Sequence, residues 1–134
     1  MVKLVIALVL VAHGIGHSMG ILRVLNLATV NPAWQGDSWL LSGVAGTAVT
    51  NAVGLILWSA SIVGFAALGG VVLGWLPADW WAPLAIGASA VSIAGIVLFP
   101  IAFPTVSTLG ALAIDVAILA AVVWFDWTPG DLPA

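Results

Sequence analysis

The sequence has no cysteine, no tyrosine and no glutamate, and its 134 residues include one lysine and one arginine. Without cysteine there is no disulfide scaffold, no CxxC redox centre and no thiolate metal site. The quinone-linked thiol oxidoreductases, which are also small helical membrane proteins, are excluded on the same ground. A nucleic-acid surface needs clustered basic residues, and Lys3 and Arg23 stand far apart. Charged residues make up 5% of the chain, against about 25% in soluble domains. A water-facing surface cannot be built from that stock.

What fills the chain instead is apolar sequence, 63% of all residues, with a formal charge of −3. Asp37, Asp79, Asp126 and Asp131 fall in or beside polar breaks, and Asp115 stands alone inside an apolar run. A bilayer core about 30 Å thick takes roughly 20 mainly apolar residues of helix. Residues 2–25 supply one such run. It continues past its signal-peptide-like opening with no A-x-A cleavage site following and reads as an uncleaved span. Residues 81–103 and 106–125 supply two more, each flanked by tryptophan-rich breaks of the kind found at membrane interfaces. Residues 39–75 form an apolar stretch of 37 residues, about 55 Å if straight helix. That length suits a short interfacial helix at about 39–48 followed by a span at 50–74, with the first segment packed on the bundle because irregular backbone at membrane depth needs protein cover.

The expected fold is therefore an all-α integral membrane protein, a single domain of four spans in an antiparallel bundle with a short extra helix before the second. A cell (inner) membrane location follows, multi-pass and in contact with membrane lipids. Lys3 favours both termini in the cytoplasm by the positive-inside rule.

The opening span carries "VLVAHGIGHSMG", which places His13 and His17 four residues apart and so on one helix face. Ala12, Gly16 and Gly20 form a small-residue ridge suited to close helix approach. Counting at 1.5 Å per residue from Lys3 and from Asp126 puts His13 and Asp115 at one depth, roughly 15 Å from the same surface. Ser89 and Ser92 fall in that layer, while Asn51 is expected nearer the other surface with His17 and Arg23. An ionisable group at the bilayer centre costs about 2.5–3.5 kcal/mol on insertion scales. An interhelical hydrogen bond returns only about 0.6–2 kcal/mol, so Asp115 should be partnered or protonated.

Two functional classes follow from this polar layer. Intramembrane ionisable residues mark ion, proton or ligand pathways, and polar residues also serve as packing glue between helices. Two imidazoles four apart plus a carboxylate make a three-ligand site of His13, His17 and Asp115 for a divalent transition metal. The zinc-protease motif needs a glutamate after the first histidine, and Gly14 stands there. A haem held by histidines of facing helices has no second histidine-bearing helix here, which leaves only an arrangement across a dimer. Arg23 can also simply snorkel to the interface. No phosphate loop, Ser-His-Asp order or carboxylate pair points to an enzyme, and an enzyme using His17 as base ranks last.

The H-G-x-x-H of "AHGIGHSMG", the polar loop after it, the tryptophan pair of "DWWAPLAIGASAV" and one polar residue in the fourth span resemble a group of small four-helix prokaryotic membrane proteins, mostly of unknown function. The resemblance implies the four-span fold and directs interest to His13 and His17. Where that group tends to carry basic residues before the tryptophan pair and an amide in the last span, this chain has Ala78, Asp79 and Asp115.

The reading that results is a non-enzymatic membrane protein, homo-oligomeric, whose His13, His17 and Asp115 cluster, with Asn51, Arg23, Ser89 and Ser92 as further polar candidates, binds or passes a small ion, proton or polar ligand. Its rival is a structural or accessory subunit of a larger membrane complex, in which the cluster serves packing only. Flat faces at Gly87, Ala88 and Gly95 are expected to support self-association.

Overall fold

The computed structural model describes residues 1–132, and among them every regular element is helical. Five α-helices follow in chain order: α1 (Val2–Gly16), α2 (Ser18–Val24), α3 (Ser42–Val72), α4 (Trp81–Leu98) and α5 (Thr105–Val123). Because α1 and α2 run on as one segment, the chain has four helical segments long and apolar enough to cross a membrane, Val2–Val24, Ser42–Val72, Ala78–Leu98 and Thr105–Val123. Segment α3 packs against α1 and α2 on one side and α4 on the other, and α4 packs in turn against α5. Helices α1 and α5 contribute side chains to one buried cluster, Ala7 and Leu10 with Ile118.

Local chemistry sets the boundaries. At the end of α2, Asn26 adopts a left-handed φ of 56°. This lets the amides of Asn26 and Leu27 return to the carbonyls of Arg23 and Leu22 at 3.1 and 2.8 Å, the two bonds of a Schellman cap. Gly74, φ 76°, ends α3 in the same way, with Trp75 N–H donating to the Gly70 carbonyl at 2.9 Å. Helix α4 stops at Leu98, five residues before the expected 103. Phe99 precedes Pro100 and takes φ −129°, ψ 60°, because a residue before proline is pushed out of the helical region. The carbonyls left free there are taken by the loop of residues 25–41: Trp39 Nε1 donates to Val97 O and Ser38 Oγ to Leu98 O, both at 2.7 Å.

The segment at 39–48 differs from expectation. It forms a single helical turn, residues 42–45, that meets the long part of α3 at Gly46, whose φ of 76° and ψ of 170° break the helix. Residues 43–49 are exposed rather than packed on the bundle. Thr50 Oγ1 donates to the Gly46 carbonyl at 2.9 Å, and ahead of the segment Ser42 Oγ accepts from Ser38 N–H at 2.9 Å.

The core has two centres. Toward one end, Phe65, Leu68, Val72, Trp81 and Ala85 are buried with Ala7 and Leu10. Toward the other, Trp58 is wholly buried among Trp34, Phe99 and Phe103. Glycines admit that indole: a Cβ at Gly20 would lie 2.7 Å from its ring, and one at Gly54 2.8 Å. The expected small-residue ridge is thereby reassigned. Ala12 is exposed and a Cβ at Gly16 would meet nothing within 4 Å, whereas Gly14 sits against Phe65 and Ile62. Of the flat α4 positions, Gly95 lies against Trp58 and Ala88 against Gly64, so both serve packing within the chain.

Candidate functional site

The glycine-rich run around His17 bends the rules of the α-helix locally. His17 N–H bonds to Gly14 O at 3.1 Å and Gly20 N–H to His17 O at 3.3 Å, both three residues apart, the tighter 3₁₀ pattern. That change of winding separates α1 from α2 and gives the two histidine rings different directions. Their centroids lie 5.4 Å apart with planes at 79°.

Each ring then finds its own partner across the bundle. His13 Nε2 lies 3.0 Å from Asp115 Oδ1. His17 Nε2 lies 3.0 Å from Ser92 Oγ. The Ser92 hydroxyl donates to Asp115 Oδ2 at 2.6 Å, so the four side chains form one unbroken chain, His13, Asp115, Ser92, His17, drawn from α1, α5, α4 and the α1–α2 junction. His13 stands at the middle of Val2–Val24 and Asp115 one residue past the middle of Thr105–Val123. Asp115 and Ser92 have no exposed surface, and His17 keeps 3%.

The donor inventory fixes the direction of every bond when Asp115 is ionised. A carboxylate only accepts and a serine has a single proton. Ser92 commits its proton to Asp115 Oδ2, so the contact with His17 requires Nε2–H of His17 to donate to Ser92 Oγ. His13 likewise donates Nε2–H to Oδ1. A neutral His17 then carries a bare lone pair on Nδ1, and that atom is buried without a hydrogen-bond partner.

Aromatic rings enclose the pair. Phe65 meets His13 edge to face at 4.3 Å and lies parallel to His17, 6° between planes, at 6.4 Å, while Phe103 meets His17 edge-on at 5.9 Å. Beside the histidines a cleft of about 220 Å³ runs between α1–α2 and α5, lined by Met19, Phe103, Gly110, Ala111 and Ile114 among others. Apart from the histidines themselves its walls are uncharged.

The remaining candidates divide. Ser92 is the bridge of the chain, whereas Ser89, equally buried, leaves its hydroxyl without a partner. Arg23 and Asn51 lie apart from the histidines, in a separate polar pocket of about 110 Å³ with Asn26, Gln35 and Thr47. Arg23 donates from Nε to Trp34 O and from a terminal nitrogen to Asn26 Oδ1, both at a long 3.4 Å. His17, expected near that group by depth, is turned to Ser92 instead.

The three-ligand metal site expected of His13, His17 and Asp115 meets a different geometry. The Nε2 atoms are committed to separate hydrogen bonds, His17 reaches Asp115 only through Ser92, and among the described residues no group of three His, Asp or Glu side chains is arranged to hold a metal ion. Equal depth and a shared face bring the residues together without converging their lone pairs. Phe65, Phe103 and Gly110 carried no signal in the sequence, since only the packing selects them, whereas Gly16 was marked there as part of a small-residue ridge. The chain matches no protein-family model, no curated protein and no solved structure.

Proposed function

We propose that this is a non-enzymatic membrane protein whose His13–Asp115–Ser92–His17 chain binds one proton and passes it from His17 through Ser92 to Asp115. The observation that carries the reading is the continuity of the chain together with its open end: three bonds of 3.0, 2.6 and 3.0 Å and an unpartnered Nδ1 on His17. A proton arriving at that Nδ1 makes His17 an imidazolium. The Nε2 proton then passes to Ser92 Oγ as the serine's own proton passes to Asp115 Oδ2. Asp115 ends neutral, His17 ends with its proton on Nδ1, and the cluster has gained one positive charge. Among the described residues no other ionisable group faces the chain: α3 contributes Phe65 and α4 contributes serines.

Passage across a membrane calls for more than one copy of the chain. Among the described residues the polar path runs between the two histidines and is not joined to the Arg23 and Asn51 pocket. Homo-oligomerisation therefore belongs to the proposal.

Infrared difference spectroscopy between high and low pH tests the relay. A protonated-carboxyl band that grows as pH falls and disappears in Asp115→Asn supports it. A pH-independent spectrum in the folded protein refutes it.

A second reading has its own support. The His13–Asp115 bond ties α1 to α5 at 3.0 Å, as expected of an accessory or structural subunit in which the polar cluster fixes helix register. In that case Asp115→Asn leaves every property except stability unchanged.

A further inference from the structure

Arg23 is the one guanidinium of the chain, and its surroundings leave the charge unanswered. It is the penultimate residue of the helical segment Val2–Val24, the level at which a spanning helix sends its long cationic side chains to the bilayer interface. A guanidinium has five N–H donors. Nε and Nη1 each give one, to Trp34 O and Asn26 Oδ1, and both bonds are 3.4 Å, longer than the usual range of about 2.7–3.2 Å. Both acceptors are neutral. Among the described residues the one ion pair within 4 Å is His13–Asp115, so no carboxylate meets Arg23.

The pocket of about 110 Å³ beside it gathers polar groups from three elements: Asn26 from the cap of α2, Gln35 and Gly36 from the loop after it, and Thr47 and Asn51 from α3. Thr47 and Asn51 are four apart and share a helix face. The side-chain hydrogen bonds at this end of α3 belong to Ser42 and Thr50, which leaves the Thr47 hydroxyl and the Asn51 amide free. Gly36, at φ 92°, carries the loop backbone past Asn51, where a Cβ would lie 3.9 Å from Oδ1. The long part of α3 begins beyond the break at Gly46, so the positive end of its dipole lies at Thr47.

We propose that this pocket binds the phosphodiester of an anionic membrane phospholipid, held by the free N–H groups of Arg23 and by the Thr47 and Asn51 side chains. A guanidinium without a counter-ion calls for an anion, and its planar fork matches phosphate oxygens. The lining residues include no carboxylate and no aromatic ring, the partners that a choline cation needs, so a headgroup of net negative charge is preferred. Pockets that enclose a whole small molecule span about 300–1,000 Å³. This smaller one takes a single ionic group and leaves the acyl chains in lipid. The site is separate from the histidines, and its occupancy does not depend on the relay.

The test is native mass spectrometry of the full chain in detergent after incubation with phosphatidylglycerol, with phosphatidylcholine as control and melting temperatures recorded alongside. One phosphatidylglycerol per chain is expected to be retained, with phosphatidylcholine held about tenfold more weakly. Arg23→Gln and Asn51→Ala are each expected to weaken retention about tenfold and to melt like wild type, since Arg23 gives up only two long bonds and Asn51 none. Lys3→Gln, at the other end of the same segment, is expected to retain the lipid fully. Equal retention of the two lipids overturns the proposal, as does retention that survives both Arg23→Gln and Asn51→Ala, or that falls as far in Lys3→Gln. Inorganic phosphate separates the two sources of the anion. It is expected to leave the lipid bound at millimolar concentration, and its binding as tightly as phosphatidylglycerol would assign the pocket to a free anion and overturn the lipid.

Discussion

His13 and Asp115 are 102 positions apart in sequence and meet through a single bond of 3.0 Å between Nε2 and Oδ1, at the middle of their two membrane-length helical segments. Removing the carboxylate strands two donors at once, the His13 ring and the Ser92 hydroxyl. Asp115→Ala is expected to cost about 1–3 kcal/mol, read as a lower melting temperature in detergent. Asp115→Asn should stay close to wild type in stability. Its carbonyl accepts from His13, its amide donates to Ser92, and the serine proton turns to His17 Nε2. The amide holds no proton, so the pH response is lost while the fold is kept.

Ser92→Ala cuts the chain at its single bridge and leaves both ends in place. The expected stability loss is about 1 kcal/mol. His13 and Asp115 remain bonded, and His17 should titrate independently of Asp115, as histidine ring NMR shifts followed against pH would reveal. Serine is the smallest side chain that both accepts and donates here, so Ser92→Thr is expected to restore the coupling if its methyl is accommodated.

The glycines of the first segment separate into two kinds, and substitution distinguishes them. Gly20→Ala puts a Cβ 2.7 Å from the Trp58 ring, a rigid neighbour, and is expected to destabilise by about 1–3 kcal/mol. Gly16→Ala meets open space and is expected to gain about 0.5–1 kcal/mol through reduced backbone entropy. Thermal unfolding of the two variants side by side checks the contrast.

Trp58 is wholly buried, and its Nε1–H has no acceptor, so the ring serves volume and not hydrogen bonding. Trp58→Phe is expected to cost about 1 kcal/mol, since it removes an unsatisfied donor together with part of the volume. Trp58→Ala opens a cavity facing Trp34, Phe99 and Phe103 and is expected to cost about 3–5 kcal/mol.

Composition and hydrophobic run length were enough to read the four spans, because the bilayer fixes how long an apolar helix must be. Counting depth was enough to pair His13 with Asp115. Rotation about each helix axis was not legible. The tighter winding at His17 sends that ring to Ser92 instead of to Asp115 or toward Arg23. The exposure of residues 43–49 was hidden for a related reason: the flanking Thr50 takes up the Gly46 carbonyl, a choice that composition alone does not separate from burial. The role of Trp58 was equally hidden, since nothing in the sequence singles it out, and with Trp34 and Trp81 it is one of three tryptophans buried in the core.

The most direct measurement of the central claim is ¹⁵N NMR of the histidine rings in the folded protein, followed across pH in wild type and Ser92→Ala. The proton chain requires His17 to begin as the Nε2–H tautomer with a bare Nδ1 and to change to the Nδ1–H form in one transition shared with Asp115, and Ser92→Ala must uncouple the two. A His17 ring that holds one tautomer throughout, in a protein that stays folded, would contradict the relay and leave the cluster as a tie between helices.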